Sequence, residues 1–393
     1  MIQTAQSGRP GRYSRGSGLA TPGMPKNAAP NDEDSPMHLE SGRSGSPKFS
    51  ICIPQYNRTS FLLAAIDSFA NQRFRDIELC ISDGQSTDGR EQEVVDALKA
   101  SGLAFIYWRS PVTLRYDANT RSAIALARGQ YCILMGNDDA LNGPNALERL
   151  WIDMQKHKPV GVVISDFCDD RTGERAFRIR QTTLCGSDSR VAAMHFRSFS
   201  FVSGLVLERE PAQVLATDNW DGSEMYQTFI ACRMITSGKR LLERDDVLVR
   251  KDIVIPGECA DSYARRPRIW PCPVVEREIP LRHLGRLVAD AIGPHTLPTH
   301  RRKLNEVILL QLLGITYPYW LFEYRRVQSW QYAAGVALGM KPSKTAAGVE
   351  LGLYRRLRVW TVYTLTTVLG LTVPRPAFEA ARGWLYKIAK SIR

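Results

Sequence analysis

Asp138 and Asp139 stand side by side at the end of a short apolar run, in the stretch YCILMGNDDAL over 131–141. Adjacent acids in a crevice are costly to desolvate unless a cation or a hydrogen-bond donor faces them. The pair therefore suits a divalent cation, and a solvated turn closing a strand accounts for the same residues. Two other polar clusters also follow apolar runs. Tyr56, Asn57 and Arg58 come after KFSICIP at 48–54, and Asp83 and Asp88 bracket a loop of turn formers after DIELCIS at 76–82. Farther on, Asp221 and Glu224 precede Tyr226, Phe229, Ile230 and Met234, which recur at helical spacing. Acids in a helix's first turn offset its dipole.

These groups need a frame that brings them together. Short β-rich apolar runs at 48–54, 76–82, 104–108 and 131–135 alternate with helical patterns. The first helical pattern, capped by Thr59 or Ser60, puts Leu62, Leu63, Ile66 and Phe69 on one face. The second carries Val94, Val95 and Leu98, and the third runs over 120–128 to Gly129. A βαβα alternation implies an α/β fold, a mostly parallel sheet with helices on both faces. Polar groups beyond the carboxyl ends of parallel strands meet on one rim, where ligands of such sheets bind. Further strands are expected at 160–167, ending near Asp166, and at 199–207, and Gly238 stops the helix that begins near Tyr226.

The ordered set Pro54-x-Tyr56-Asn57-Arg58, Ser68 and Gln72, Asp83 with Ser86, Thr87 and Asp88, Asn119, Ala127, Gly129, Tyr131, Asp138 and Asp139 resembles the nucleotide half of the family-2 glycosyltransferases. The resemblance is strong over 49–144 and fades toward 251. It implies a GT-A fold and transfer of a sugar, with inversion, from a nucleoside-diphosphate donor to a hydroxyl acceptor. The acceptor would be a saccharide or lipid-linked saccharide in cell-surface polysaccharide synthesis. By the same resemblance Pro54, Tyr56, Asn57, Asp83, Asn119, Arg121 and Asp138 line the nucleotide-sugar site, with Asp83 accepting from the base. Asp138 matches the last acid of the Asp-x-Asp signature that holds Mn²⁺ or Mg²⁺, ions suited by hard oxygen ligands. Glu224 or Asp221 fits the slot of the general base, and dipole capping accounts for the same acids. Two positions depart from the pattern: Gly136 replaces the signature's first acid, and Gly84 the second acid of the usual Asp-Asp-x-Ser loop. A nucleotidyltransferase on a similar sheet, or a non-catalytic membrane or nucleic-acid binding module, is the alternative.

Composition divides the 393 residues further. Residues 1–47 are rich in Gly, Ser, Pro and Arg and predict disorder; by the resemblance 48–280 are expected to form the GT-A-like glycosyltransferase domain, leaving 281–393 as a basic helical region. Almost all of the net charge of +12 lies beyond residue 300, with fifteen Lys/Arg against four acids. A near-neutral first half argues against a nucleic-acid groove running through it. Residues 359–374 are uncharged and aromatic-flanked but shorter than the ~20 residues of a spanning helix. With Arg355, Arg356, Arg358, Arg375, Arg382, Lys387 and Lys390 they suit contact with an anionic membrane surface, or a basic helical domain packed on the first. The eight cysteines lack CxxC spacing and the six histidines lack HxxxH or HExxH, which suits reduced thiols and no zinc site. The basic N-terminus is followed by no apolar core of a signal peptide. The expectation is a cytoplasmic protein, peripheral at the inner face of the membrane.

Overall fold

A computed structural model describes residues 37–42, 45–258, 273–374 and 376–381. The strands are β1 (His38–Ser41), β2 (Phe49–Gln55), β3 (Ile77–Asp83), β4 (Ala104–Arg109), β5 (Tyr131–Leu134), β6 (Ala140–Leu141), β7 (Val162–Asp169), β8 (Arg175–Ala176), β9 (Thr183–Gly186), β10 (Leu205–Glu208) and β11 (Leu241–Lys251). Interleaved with them are α1 (Thr59–Ala70), α2 (Glu91–Ala100), α3 (Tyr116–Leu126), α4 (Ala146–Lys156), α5 (Ser189–His195), α6 (Arg209–Val214) and α7 (Tyr226–Thr236). The C-terminal third holds α8 (Leu281–Ile292), α9 (Pro298–Gln311), α10 (Tyr317–Val327), α11 (Trp330–Gly339), α12 (Pro342–Thr345) and α13 (Leu353–Thr372).

One sheet runs β1-β4-β3-β2-β5-β10-β7-β11-β6. Its β4-β3-β2-β5 segment is parallel throughout, as the alternation predicts. β10 enters antiparallel between β5 and β7. The register sets Gln55 beside Asp83 and Cys52 beside Leu134, so the three strands end on one rim. The two-residue strand period divides the core between the faces. Ile51, Ile53, Leu79, Ile81 and Ile133 pack with α1, α2 and α4. Cys52, Cys80, Cys132 and Leu134 face the other way, toward Phe229, Ile230, Leu284 and Leu287.

That second core continues through Leu309, Leu312, Tyr317 and Tyr363. The helices from α8 onward are thus packed on the helical layer of the same sheet. Glu306 bridges Arg355 and Arg358 between α9 and α13, and Tyr363 donates to the Ala337 carbonyl at 2.7 Å. No helix of the described residues is long and apolar enough to cross a membrane.

Several boundaries differ from the sequence reading. Within 1–47, expected to be disordered, His38–Ser41 forms an edge strand on β4, its Glu40 ion-paired to Arg128; β4's outer edge supplies the ladder that the polar sequence HLES cannot organise alone. Residues 1–36 lie outside the described residues, as do Cys259, Cys272, Arg375 and everything from 382 onward. α3 begins at Tyr116 rather than 120, because Asp117 and Asn119 turn inward to polar partners. The apolar run 199–207 is split. Phe196–Ser200 is a 3₁₀ turn that buries Phe196 and Phe199, and Gly204, at φ +82°, redirects the chain into β10.

Candidate active site

Three loops interlock on the rim. Asn57 and Arg58 follow β2 in the left-handed region, at φ 53° and 59°. Asn57 receives the Thr87 N–H on Oδ1 at 2.7 Å and donates its own N–H to Ser86 Oγ at 2.8 Å. Thr59 Oγ1 donates to Asp88 at 2.7 Å, tying the start of α1 to the same loop. Gln55 accepts from Asn137 Nδ2 at 2.8 Å and so joins the β5 loop. Tyr56 is exposed at the edge, while Pro54 lies within β2.

Asp83 ends β3 at 2 % exposure. Its carboxylate accepts from the Ser86 N–H at 2.6 Å and from Tyr107 Oη at 2.8 Å. Burial pushes its pKa up and these donors partly offset the rise. Each carboxylate oxygen thus accepts one bond. Asn119 donates to the Gln55 carbonyl at 2.8 Å, so its amide nitrogen serves to brace β2 against α3. A Cβ on Gly84 would come within 2.9 Å of the Leu114 carbonyl and 3.0 Å of Asn119 Nδ2. The family's second acid is thus absent where the neighbouring loop leaves no room for a side chain.

Asp138 projects from the β5 loop onto Arg58, Nη1 to Oδ2 2.8 Å. Burial raises its pKa; Arg58 opposes the rise and the charge of Asp252 adds to it. Asp139 is more deeply placed, holding the Ser203 hydroxyl and, at 2.8 Å, the Asp252 N–H. Burial first, and then the charge of Asp138, pushes it up to about 7. Asp139 therefore ties the loop down, and Asp138 faces the rim. A Cβ on Gly136 would lie 2.9 Å from Asp138 Oδ1 and 3.3 Å from Ser203 Oγ, so a side chain there would have to displace the carboxylate of Asp138. Hard carboxylate oxygens fit Mn²⁺ or Mg²⁺, which bind through one or two carboxylates, waters and substrate phosphates. Among the described residues, a trio of metal-ligating groups within 4.8 Å of one another occurs at Cys185, His195 and Glu243. His195 Nδ1 there lies 2.8 Å from Glu243 Oε1, a pairing the histidine spacing does not announce.

At the start of α7, Glu224 is exposed, with φ 57°. Asp117 of α3 fixes this bend: Oδ2 accepts the Glu224 N–H at 2.8 Å and Oδ1 the Tyr226 N–H at 3.0 Å. The capping carboxylate is therefore Asp117, and the Glu224 side chain is left outside that role. Asp221 is gripped by Arg121, Nη2 to Oδ2 2.8 Å, with the guanidinium over the Tyr226 ring. The structure thus pairs two residues that the sequence placed in different roles. Tyr116, whose phenol donates to Gln227 Oε1 at 3.2 Å, is buried, and burial first, then the charge of Asp117, raises its pKa. In the sequence Arg58 is a matching position without a role, and Asp117, Tyr116 and Ser203 belong to no pattern. Asp117's only local signal is an acid in a helix's first turn.

The model of the glycosyl transferase family 2 matches residues 50–203. The abequosyltransferase RfbV of Salmonella typhimurium is 42% identical over 236 residues, covering 55% of this chain and 68% of that one. Among solved structures, S. aureus TarS 1-349 in complex with UDP superposes with a TM-score of 0.54 at 14% identity, over 82% of this chain and 90% of that one. The mannosyltransferase PcManGT of Pyrobaculum calidifontis, in complex with GDP-Man and Mn²⁺, gives 0.50 at 17% identity, over 89% and 87%. At these identities the structures establish the GT-A architecture, and the match to RfbV establishes kinship. The chain belongs to glycosyl transferase family 2 and is a glycosyltransferase of GT-A fold.

Proposed function

We propose that the protein is an inverting, metal-dependent glycosyltransferase that takes its sugar from a nucleoside diphosphate bound across the ends of β2, β3 and β5. The observation that carries this reading is the interlocking of three loops on one rim, with Asp83 and Asp138 at the ends of the parallel strands on either side of β2. The nucleobase would lie against the Asp83–Ser86 turn, flanked by Pro54, Tyr56 and Asn57, with Asp83 accepting from a base N–H. Asp138 would hold Mn²⁺ or Mg²⁺ on the diphosphate, where the ion supplies Lewis-acid charge to the leaving group. Glu224, rather than the Arg121-bound Asp221, would take the proton of the acceptor hydroxyl as it attacks the anomeric carbon from the opposite face. Arg121 would act on the acceptor side, by holding Asp221.

The acceptor would be a saccharide or lipid-linked saccharide of surface polysaccharide synthesis, met at an anionic leaflet on the cytoplasmic side. α13 supports this. Leu353, Tyr354, Leu357, Leu365, Val368 and Leu369 are exposed along it, Leu353 at 87 %, and Arg356 stands beside them. An apolar stripe with basic flanks suits an interfacial helix.

Glu224→Gln tests the base: nucleotide-sugar binding measured by calorimetry should be unchanged while transfer to the acceptor falls at least a hundredfold, the usual reach of general-base catalysis being about 10²–10⁴. Turnover within a few-fold of the parent would remove Glu224 from the role.

A further inference from the structure

We propose that Arg58 is the resting counter-ion of Asp138 and couples cation binding to donor binding. The guanidinium holds the carboxylate while no donor is bound, and turns to the donor's diphosphate once a divalent cation takes Asp138. This rests on the reading of the rim as a nucleotide-sugar site.

The arginine is delivered to that place by a built loop. Asn57 and Arg58 are consecutive residues in the left-handed region, which costs side-chain-bearing residues about 1 kcal/mol or more each. The bend is held by Asn57's bonds to Ser86 and Thr87, and its carbonyl accepts Gln55 Nε2 at 2.7 Å. Such strain persists only where surroundings over-determine it, often at ligand clamps. The guanidinium sits 4.8 Å over the Phe61 ring, and its Nη1 lies 2.8 Å from Asp138 Oδ2. Both side chains are below one fifth exposed, at 19% and 18%, so solvent does little to weaken the pair.

Charge balance then decides what a cation meets. Asp138 is neutralised by Arg58 and Asp252 is ion-paired to Lys251. Asp139 spends its oxygens on the Ser203 hydroxyl and the Asp252 N–H. Gly136 contributes no carboxylate. A bare Mn²⁺ would therefore have to displace a guanidinium to gain one carboxylate. A cation arriving with a nucleoside diphosphate meets a different balance. The diphosphate supplies oxygen ligands, and it offers the released arginine a bidentate anionic partner of the geometry guanidinium prefers. Both sites are then favoured together, which is positive coupling between two ligands.

Mn²⁺ binding to the full chain, followed by electron paramagnetic resonance of the free ion, tests the coupling, with UDP and GDP as nucleotide probes. The parent should bind Mn²⁺ at least tenfold more tightly with a nucleoside diphosphate than without. Arg58→Met should raise donor-free Mn²⁺ affinity about tenfold and lower nucleoside-diphosphate affinity by a similar factor, collapsing the coupling. Arg58→Lys keeps the charge without the fork, so it should leave donor-free Mn²⁺ binding weak while still losing nucleotide affinity; it serves if the Met variant does not fold. Donor-free Mn²⁺ affinity within twofold of the parent in Arg58→Met, or nucleotide affinity unchanged in Arg58→Lys, overturns the arginine's role and leaves the donor site standing. A parent that binds neither probe with Mn²⁺ overturns the donor site as well.

Discussion

Replacing Asp117 should cost stability and turnover together. The carboxylate is 1 % exposed and accepts two backbone N–H groups, of Glu224 at 2.8 Å and of Tyr226 at 3.0 Å. Hydrogen bonds to a charged group contribute about 1.5–3 kcal/mol each, and a buried donor left unpaired keeps its desolvation penalty. The two bonds share one carboxylate and are not additive, and burial already opposes the charge. Asp117→Ala should therefore lose about 3–4 kcal/mol, a large share of the about 5–15 kcal/mol typical of a domain. Asp117→Asn, which keeps one acceptor oxygen, should lose about 1–2 kcal/mol. Urea unfolding followed by circular dichroism measures both. With the bend released, Glu224 leaves its left-handed conformation, so transfer by the folded Asn variant should fall much more than its nucleotide binding. An Ala variant within about 0.5 kcal/mol of the parent, with an unchanged urea slope, would refute the reasoning that Asp117 holds the start of α7.

Two more expectations concern the acid loop and the tail. Asp139's folded pKa, about 7, lies above its ordinary value of 3.8, so the native state holds a proton that the unfolded chain has released between those values. Its contribution is greatest below pH 4 and is lost as pH rises toward 7; Asp139→Asn should flatten that part of the pH–stability curve, and an unchanged slope in urea titrations at pH 5 and pH 7.5 would contradict the assignment. Replacing Leu353 and Leu357 by Glu should weaken co-sedimentation with vesicles containing phosphatidylglycerol at least tenfold, because a leucine withdrawn from water contributes about 1.5–3 kcal/mol; unchanged sedimentation would free the α13 stripe from that role.

Much of the frame is legible in the residues because strand burial has a period of two and helix burial one near four. KFSICIP and DIELCIS are read as buried strands, and the loops after them fall on one rim once the strands are parallel. What escapes is whatever depends on partners distant in sequence. Asp117 looks like an ordinary helix-start acid, since the N–H groups it binds belong to residues more than a hundred positions later. Asp221 and Arg121 are separated by 100 residues, and only their contact shows that each neutralises the other. The strand His38–Ser41 is hidden for a different reason: its composition is that of a solvated segment, and β4's free edge gives it its ladder. Gly84 and Gly136 read as departures from a pattern; at Gly84 the reason lies in the Leu114 carbonyl, which fills the space a side chain would need.

A donor diphosphate and a cation are expected to meet at Asp138. Isothermal titration of UDP and GDP into the parent and into Asp138→Ala, each with and without Mn²⁺, measures that meeting directly. The parent should bind at least one of the two with an affinity that Mn²⁺ raises at least tenfold, and Asp138→Ala should lose this enhancement while remaining folded. An enhancement of equal size in both proteins would contradict it.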